Sequence, residues 1–166
     1  MSARAQSRLL GLTLLTNLIT PEAIIPSLKA NSKKQALQEL SERAADLSGL
    51  PAREILDALI QRERLGSTGA GDGIAIPHAK LAKAHSMFGI FARTPRPIDF
   101  ESIDGAPVDL IFLLVAPESA GADHLKALAR LARMLRDPAT TAKLRAARDV
   151  NALYAVLSEE AASHAA

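Results

Sequence analysis

A chain of 166 residues, 48% apolar and 23% charged, is long enough to bury one domain's core without covalent staples. It contains no cysteine and no tryptophan, which excludes a disulfide framework, thiolate chemistry and any cysteine-based metal site. The net charge is only +2, the basic residues are scattered and 3% of residues are aromatic, so a nucleic-acid-binding surface is not expected.

Residues 1–17 lack a clear hydrophobic period and are expected to form a loosely ordered N-terminal segment. The apolar run from Leu9 to Ile19 is interrupted by Thr13, Thr16 and Asn17. No small-residue cleavage site follows it, so it does not read as an export signal. The other apolar run, Val108 to Ala116, is too short to span a bilayer. A cytoplasmic location without membrane insertion is the resulting expectation.

Residues 18–160 read as one domain, followed by a short tail at 161–166. Glu22 to Ile25, flanked by Pro21 and Pro26, suits a brief edge strand. Ser32 with Gln35 makes a capping box for a first helix. Ala36, Leu37, Leu40, Ala44 and Leu47 give that helix its apolar stripe, and Gly49 closes it. Pro51 opens a second helix that runs to about Arg64. Ile55, Leu59 and Arg62 share its inward stripe, whereas Arg64 faces solvent. An inward arginine at a helix end either meets a carboxylate or a bound anion, or turns its head out to water.

Between Arg62 and His78 the chain reads RERLGSTGAGDGIAIPH. Gly66, Gly69, Gly71 and Gly73 allow backbone conformations that other residues adopt at a cost. Amides in such turns can form a concave nest for an anion, with Ser67 and Thr68 alongside. The run Ile74-Ala75-Ile76 then reads as a short strand. Pro77 fixes its own φ and holds Ile76 extended, so His78 is presented by stiff backbone. A Walker loop is excluded, since no Lys-Ser/Thr follows the glycines. A dinucleotide fingerprint also fails, because GAGDG breaks its spacing and follows a helix.

Ser86 to Arg93 alternates loosely and reads as extended, and Val108 to Ala116 as a central strand covered on both faces. The proline-rich stretch between them reads as a loop. Three helices complete the chain: Asp123 is expected to cap one that reaches Leu135, Asp137-Pro138 to start another ending near Ala147, and Asp149 a third ending near Glu160. His124 shares the stripe of Leu128, Leu131 and Leu135 and sits in a helix's first turn, where imidazolium is disfavoured. It either helps a neighbouring histidine hold phosphate or bonds a nearby carbonyl. Helices before and after a small sheet make an α/β fold, a single-domain sandwich with a mixed parallel and antiparallel sheet. No role is assigned to His85 or His164, and no metal-ligand spacing such as HExxH occurs.

The stretch RERLGSTGAGDGIAIPHAKL resembles the active-site signature of enzyme IIA domains of the phosphoenolpyruvate-dependent phosphotransferase system. The fructose/mannitol class fits best, and within it the nitrogen-regulatory group. The likeness extends over SKKQAL, PIDFESIDGAPVDLIFLLVAP and HLKALARLARML. It implies that His78 accepts a phosphoryl group on Nε2 from an HPr-like carrier. It further implies that His124 is the supporting histidine and that Arg62 binds the phosphoryl group. Ser67, Thr68, Gly69, Gly71 and Gly73 are then expected to form the phosphate-binding loop.

No cofactor and no metal are implied. The downstream partners would be regulated targets such as ion transporters or kinases. A sugar-specific enzyme IIB is the alternative, and a non-reacting anion-sensing module is a reading of another class. Two residues depart from the family pattern. Asp72 stands where asparagine is frequent and is expected to point away from the site, and Ala79 stands where glycine usually follows the histidine.

Overall fold

A computed structural model of the chain describes residues 18–164. The predicted segment 1–17 and the last two residues of the predicted tail lie outside the described residues. Strand β6 (Val108–Pro117) is the centre of a six-stranded sheet. All of its residues are buried except Asp109 and Pro117, which are partly buried. Its alternate side chains serve two separate cores, as a strand's period of two requires. Ile111, Leu113 and Val115 join one core with Leu37, Leu40, Ile55 and Leu59, from helices α1 (Lys33–Ser48) and α2 (Ala52–Arg64). Leu110, Phe112 and Leu114 join the other with Leu131, Leu135, Leu144 and Leu153. These come from helices α3 (Ala122–Arg136), α4 (Pro138–Ala146) and α5 (Val150–His164). The result is helices on both faces of a mixed sheet, the expected α/β sandwich.

On one side of β6 lies the antiparallel strand β5 (Phe88–Ile98), with the two-residue edge strand β1 (Ile24–Ile25) parallel to β5 beyond it. On the other side, β3 (Ile74–Ala75) and β4 (His78–Leu81) run in succession along the same edge of β6, both parallel to it. β2 (Gly69–Gly71) pairs antiparallel with β3. Pro77 interrupts what would otherwise be one strand, because it has no N–H to give. Its carbonyl still accepts the Leu114 N–H at 3.0 Å, so the chain stays docked across the break.

Several boundaries differ from the sequence expectations. Only Ile24–Ile25 is strand, since Pro21–Ala23 forms a 3₁₀ turn. β5 continues through Pro95 and Pro97 to Ile98, where a loop was expected. Pairing with β6 shifts register between Arg93 and Ile98, and Pro95, Arg96 and Pro97 are exposed, which is where a strand tolerates proline. Leu47 is 42% exposed, because the buried stripe of α1 ends at Ala44. Asp123 does not cap α3. The helix starts one residue earlier, after Gly121, which leaves Asp123 inside the first turn. Pro51 precedes α2 as its cap residue instead of opening it, and α5 runs on to His164. Caps at Ser32 and Asp137 form as expected, with the side chains accepting the Gln35 and Ala139 amides. Asp149 likewise accepts the Ala152 amide at 2.8 Å.

The β2–β3 hairpin turns on Asp72 (φ 57°) and Gly73 (φ 83°), the pair of positive φ values that a type I′ turn requires. Arg145 anchors this tip, donating to the Asp72 carbonyl at 3.0 Å and to Asp109 through two nitrogens at 2.9 Å each. A Cβ on Gly73 would lie 2.7 Å from Arg145 Nη2. Gly73→Ala should therefore lose about 1–3 kcal/mol, read as a shift in the urea-unfolding midpoint at unchanged slope.

Candidate active site

Where β4 begins, three side chains from three elements converge. Helix α2 buries Ile55 and Leu59 against the sheet, and one further turn brings Arg62 over the same face at the helix end. Arg64 is exposed. Arg62 Nε donates to His78 Nε2 at 3.2 Å, and its Nη1 donates to the Gly66 carbonyl at 2.8 Å. Nδ1 of His78 lies 2.9 Å from the Ile76 carbonyl oxygen. A carbonyl only accepts, so Nδ1 carries the proton and Nε2 keeps its lone pair. The Arg62 contact requires the same tautomer.

His124 lies on α3 with its ring centroid 5.5 Å from that of His78, edge to face. It is 3% exposed, and neither ring nitrogen has a hydrogen-bond partner among the described residues. Burial, followed by the charges of His78 and Lys80, pushes its pKa down to about 4. The His78 pKa is also lowered, first by burial and then by Arg62 and Lys80, with the Ile76 carbonyl and Glu63 opposing. Both rings are thus held neutral at neutral pH, His78 with an unprotonated Nε2 that accepts from Arg62 and His124 with an N–H that no described residue takes.

Sequence reading alone missed two charged neighbours and an apolar rim. Lys80 acts on both histidines. It follows His78 by two residues in one strand, and that spacing puts both on the same face. Glu63, next to Arg62, is a partly buried residue whose side chain takes bonds from Thr68 and Lys33. Leu65 and Leu125 border the site at 85% and 66% exposure. No period-based signal marks a lone exposed leucine.

The glycine loop is placed differently from the expectation. Ser67 Oγ donates to the Phe100 carbonyl at 2.5 Å and accepts the Gly69 amide at 3.0 Å. The Thr68 amide and hydroxyl both go to Glu63. Gly69 packs so closely on Ser102 that a Cβ would collide with it. Gly71 and Gly73 belong to the hairpin tip. Ile74 pairs with Leu110 and His78 with Leu114, so about 13 Å of strand separates Ile74 from His78, with the tip beyond it.

Gly69, Gly71 and Gly73 therefore shape the hairpin, with Gly71 and Gly73 at its tip away from His78, whereas the Gly66 carbonyl meets Arg62. Asp72, whose amide donates to Asp104 Oδ2 at 2.9 Å, is carried to the far tip with them. Ala79 is buried among the α1 and α2 side chains in ordinary strand geometry, so a methyl group is accommodated there. Among the described residues no cluster of three or more His, Asp or Glu side chains could hold a metal ion, and no helix is long and apolar enough to cross a membrane.

Because the folded-state pKa of His124 lies below its ordinary value of 6.5, the folded protein binds fewer protons there than the unfolded chain. Its contribution to stability is complete above pH 6.5 and is lost as pH falls towards about 4. Urea unfolding measured across this window should show a steeper loss for the parent protein than for His124→Leu. Parallel curves would contradict the assignment.

Residues 17–160 match the family model described as phosphoenolpyruvate-dependent sugar phosphotransferase system, EIIA 2. A nitrogen regulatory protein of Bradyrhizobium diazoefficiens is 62% identical over 144 residues, covering 87% of this chain and 94% of that relative. One of Klebsiella oxytoca is 38% identical over 153 residues, covering 92% and 94%. The crystal structure of nitrogen regulatory protein IIA-Ntr from Neisseria meningitidis superposes with a TM-score of 0.83 at 33% identity, covering 87% of this chain and 99% of that one. IIA mannitol from Escherichia coli, at 22% identity, shares the fold with a TM-score of 0.71. The chain belongs to the type 2 enzyme IIA family of the phosphoenolpyruvate-dependent phosphotransferase system, and within it resembles the nitrogen-regulatory members.

Proposed function

We propose that His78 accepts a phosphoryl group on Nε2 from an HPr-like phosphocarrier, and that the phosphorylated and unphosphorylated forms engage regulated target proteins differently. One observation carries this reading: Nδ1–H of His78 is bonded to the Ile76 carbonyl, leaving Nε2 as a bare nucleophile under the Arg62 guanidinium. In the transfer, the phosphorus–nitrogen bond of the donor breaks and its electron pair returns to the donor imidazole. A new bond forms between phosphorus and Nε2. The His78 ring thereby gains positive character, which the Ile76 carbonyl offsets through Nδ1–H. Arg62 gives up the Nε2 lone pair and turns its donors to the phosphoryl oxygens, a guanidinium's fitting role. His124, neutral and otherwise unbonded, supplies one more N–H.

Leu65 and Leu125 offer a partner an apolar rim around this polar centre. The nitrogen-regulatory relatives favour a regulatory role over delivery to a fructose- or mannitol-type enzyme IIB. Ion transporters and kinases are the target classes in this reading, and the setting is the cytoplasm. No cofactor or metal takes part.

Incubation with phosphoenolpyruvate, enzyme I and the HPr-like carrier should add one phosphoryl group by intact mass. The adduct should be acid-labile and absent from His78→Ala. A bound anion without an adduct would instead identify a sensing module, and rapid loss of label to an enzyme IIB would identify a sugar-transport component. Arg62→Ala should slow loading by about 10²–10³-fold. With preloaded donor, loading should decline as pH falls, with a midpoint below 6.5, the ordinary histidine value. A decline centred at or above that value would contradict the depressed pKa.

A further inference from the structure

Glu63 is a buried carboxylate to which the reaction just described gives no task. Its side chain is 7% accessible. Oε2 accepts the Thr68 amide at 3.1 Å and lies 2.7 Å from Lys33 Nζ, and Oε1 accepts the Thr68 hydroxyl. Lys33 in turn sits 5.1 Å above the Phe100 ring, and the Phe100 carbonyl takes the Ser67 hydroxyl.

From Thr68 the bonds continue into the site. The Thr68 carbonyl accepts the Ile76 amide at 3.0 Å. The carbonyl of the same Ile76 accepts His78 Nδ1–H, and His78 Nε2 accepts Arg62 Nε–H. Arg62 is covalently next to Glu63, so the path closes on itself. The span between Arg62 and Thr68 is held inside this ring as well. Leu65 and Gly66 amides bond back to the Arg62 and Glu63 carbonyls, and the Gly66 carbonyl takes Arg62 Nη1.

We propose that Glu63 is a positioning residue of the phosphoryl site. Through Thr68 it holds the Ile76 carbonyl and the Arg62 guanidinium against the two ring nitrogens of His78. A surface turn could be stabilised by any exposed pair at little cost or gain. A carboxylate taken out of water beside a lysine needs its bonds satisfied and rigidly placed, and here the two it takes from Thr68 lead on through Ile76 to the imidazole. Loosening the ring lets Ile76 and Arg62 drift independently, and displacements of about 1 Å at reacting groups cost on the order of a hundredfold in rate. The inference rests on His78 being the acceptor, but its structural half can be read without any transfer.

Two variants test it. Glu63→Gln combined with Lys33→Met removes the carboxylate without stranding a buried ammonium, and Thr68→Val removes one bond of the ring at nearly constant shape. Each is measured for phosphoryl transfer from the carrier and for the NMR signals of Arg62 Nε–H and the His78 ring nitrogens. Transfer at saturating carrier should fall about ten- to a hundredfold, with KM for the carrier changed less than about twofold. The Arg62 Nε–H should lose its protection from solvent exchange.

Wild-type kcat and an unchanged Arg62 signal in a folded variant would overturn the proposal. If the double variant does not fold, Thr68→Val alone decides. If the parent protein accepts no phosphoryl group, the functional reading fails, and the NMR signals still decide whether Glu63 orders Arg62 and His78.

Discussion

The bond between His78 Nδ1 and the Ile76 carbonyl, at 2.9 Å, is the constraint on which the site depends. An imidazole free to exchange tautomers would present Nε2 half-heartedly, as acceptor in one form and donor in the other. A backbone carbonyl two residues back removes that choice, and it does so because Pro77 holds Ile76 in extended geometry. The carbonyl is in turn fixed by the sheet. Ile76 bonds back to Thr68, and the Pro77 carbonyl is docked on Leu114. The protonation of one nitrogen is thus set by hydrogen bonding at the other, and that bond is set by the break in a strand.

Electrostatics and burial act on the two histidines in the same direction but to different ends. Burial and neighbouring cations keep both rings neutral. For His78 neutrality preserves the attacking lone pair. For His124, whose ring nitrogens have no hydrogen-bond partner among the described residues, it preserves an N–H that is not already committed. An unsatisfied buried polar group is costly, and the proposed transfer would give it a partner. Arg62 and Lys80 lie close enough to oppose protonation of the rings.

Most of the fold was legible because it follows from period and punctuation. The nearly continuous apolar run at 108–116 marked the central strand. Capping at Ser32, Asp137 and Asp149 marked three helix starts, and the stripe Ile55–Leu59–Arg62 placed the arginine inward. His124 was legible in the same way, from its step to Leu128 and Leu131.

What escaped was what no local pattern encodes. β5 passes through Pro95 and Pro97 because its pairing slips there, and α3 starts at a glycine with an unusual backbone where Asp123 looked the better cap. The glycine run suggested a phosphate nest. Its later part builds a tight hairpin, with the Gly69 and Asp72 amides used against Ser67 and Asp104 and the tip pinned by Arg145. Glu63 and Lys80 were in plain view, but their relevance depends on which loops fold back on the helix end.

The most direct test of the account is the protonation pattern of the His78 ring, observed by long-range nitrogen–proton correlation in the unphosphorylated protein at neutral pH. The account predicts a neutral ring with the proton on Nδ1 and a bare Nε2. A ring protonated on Nε2, or a rapidly averaging mixture of both forms, would contradict it.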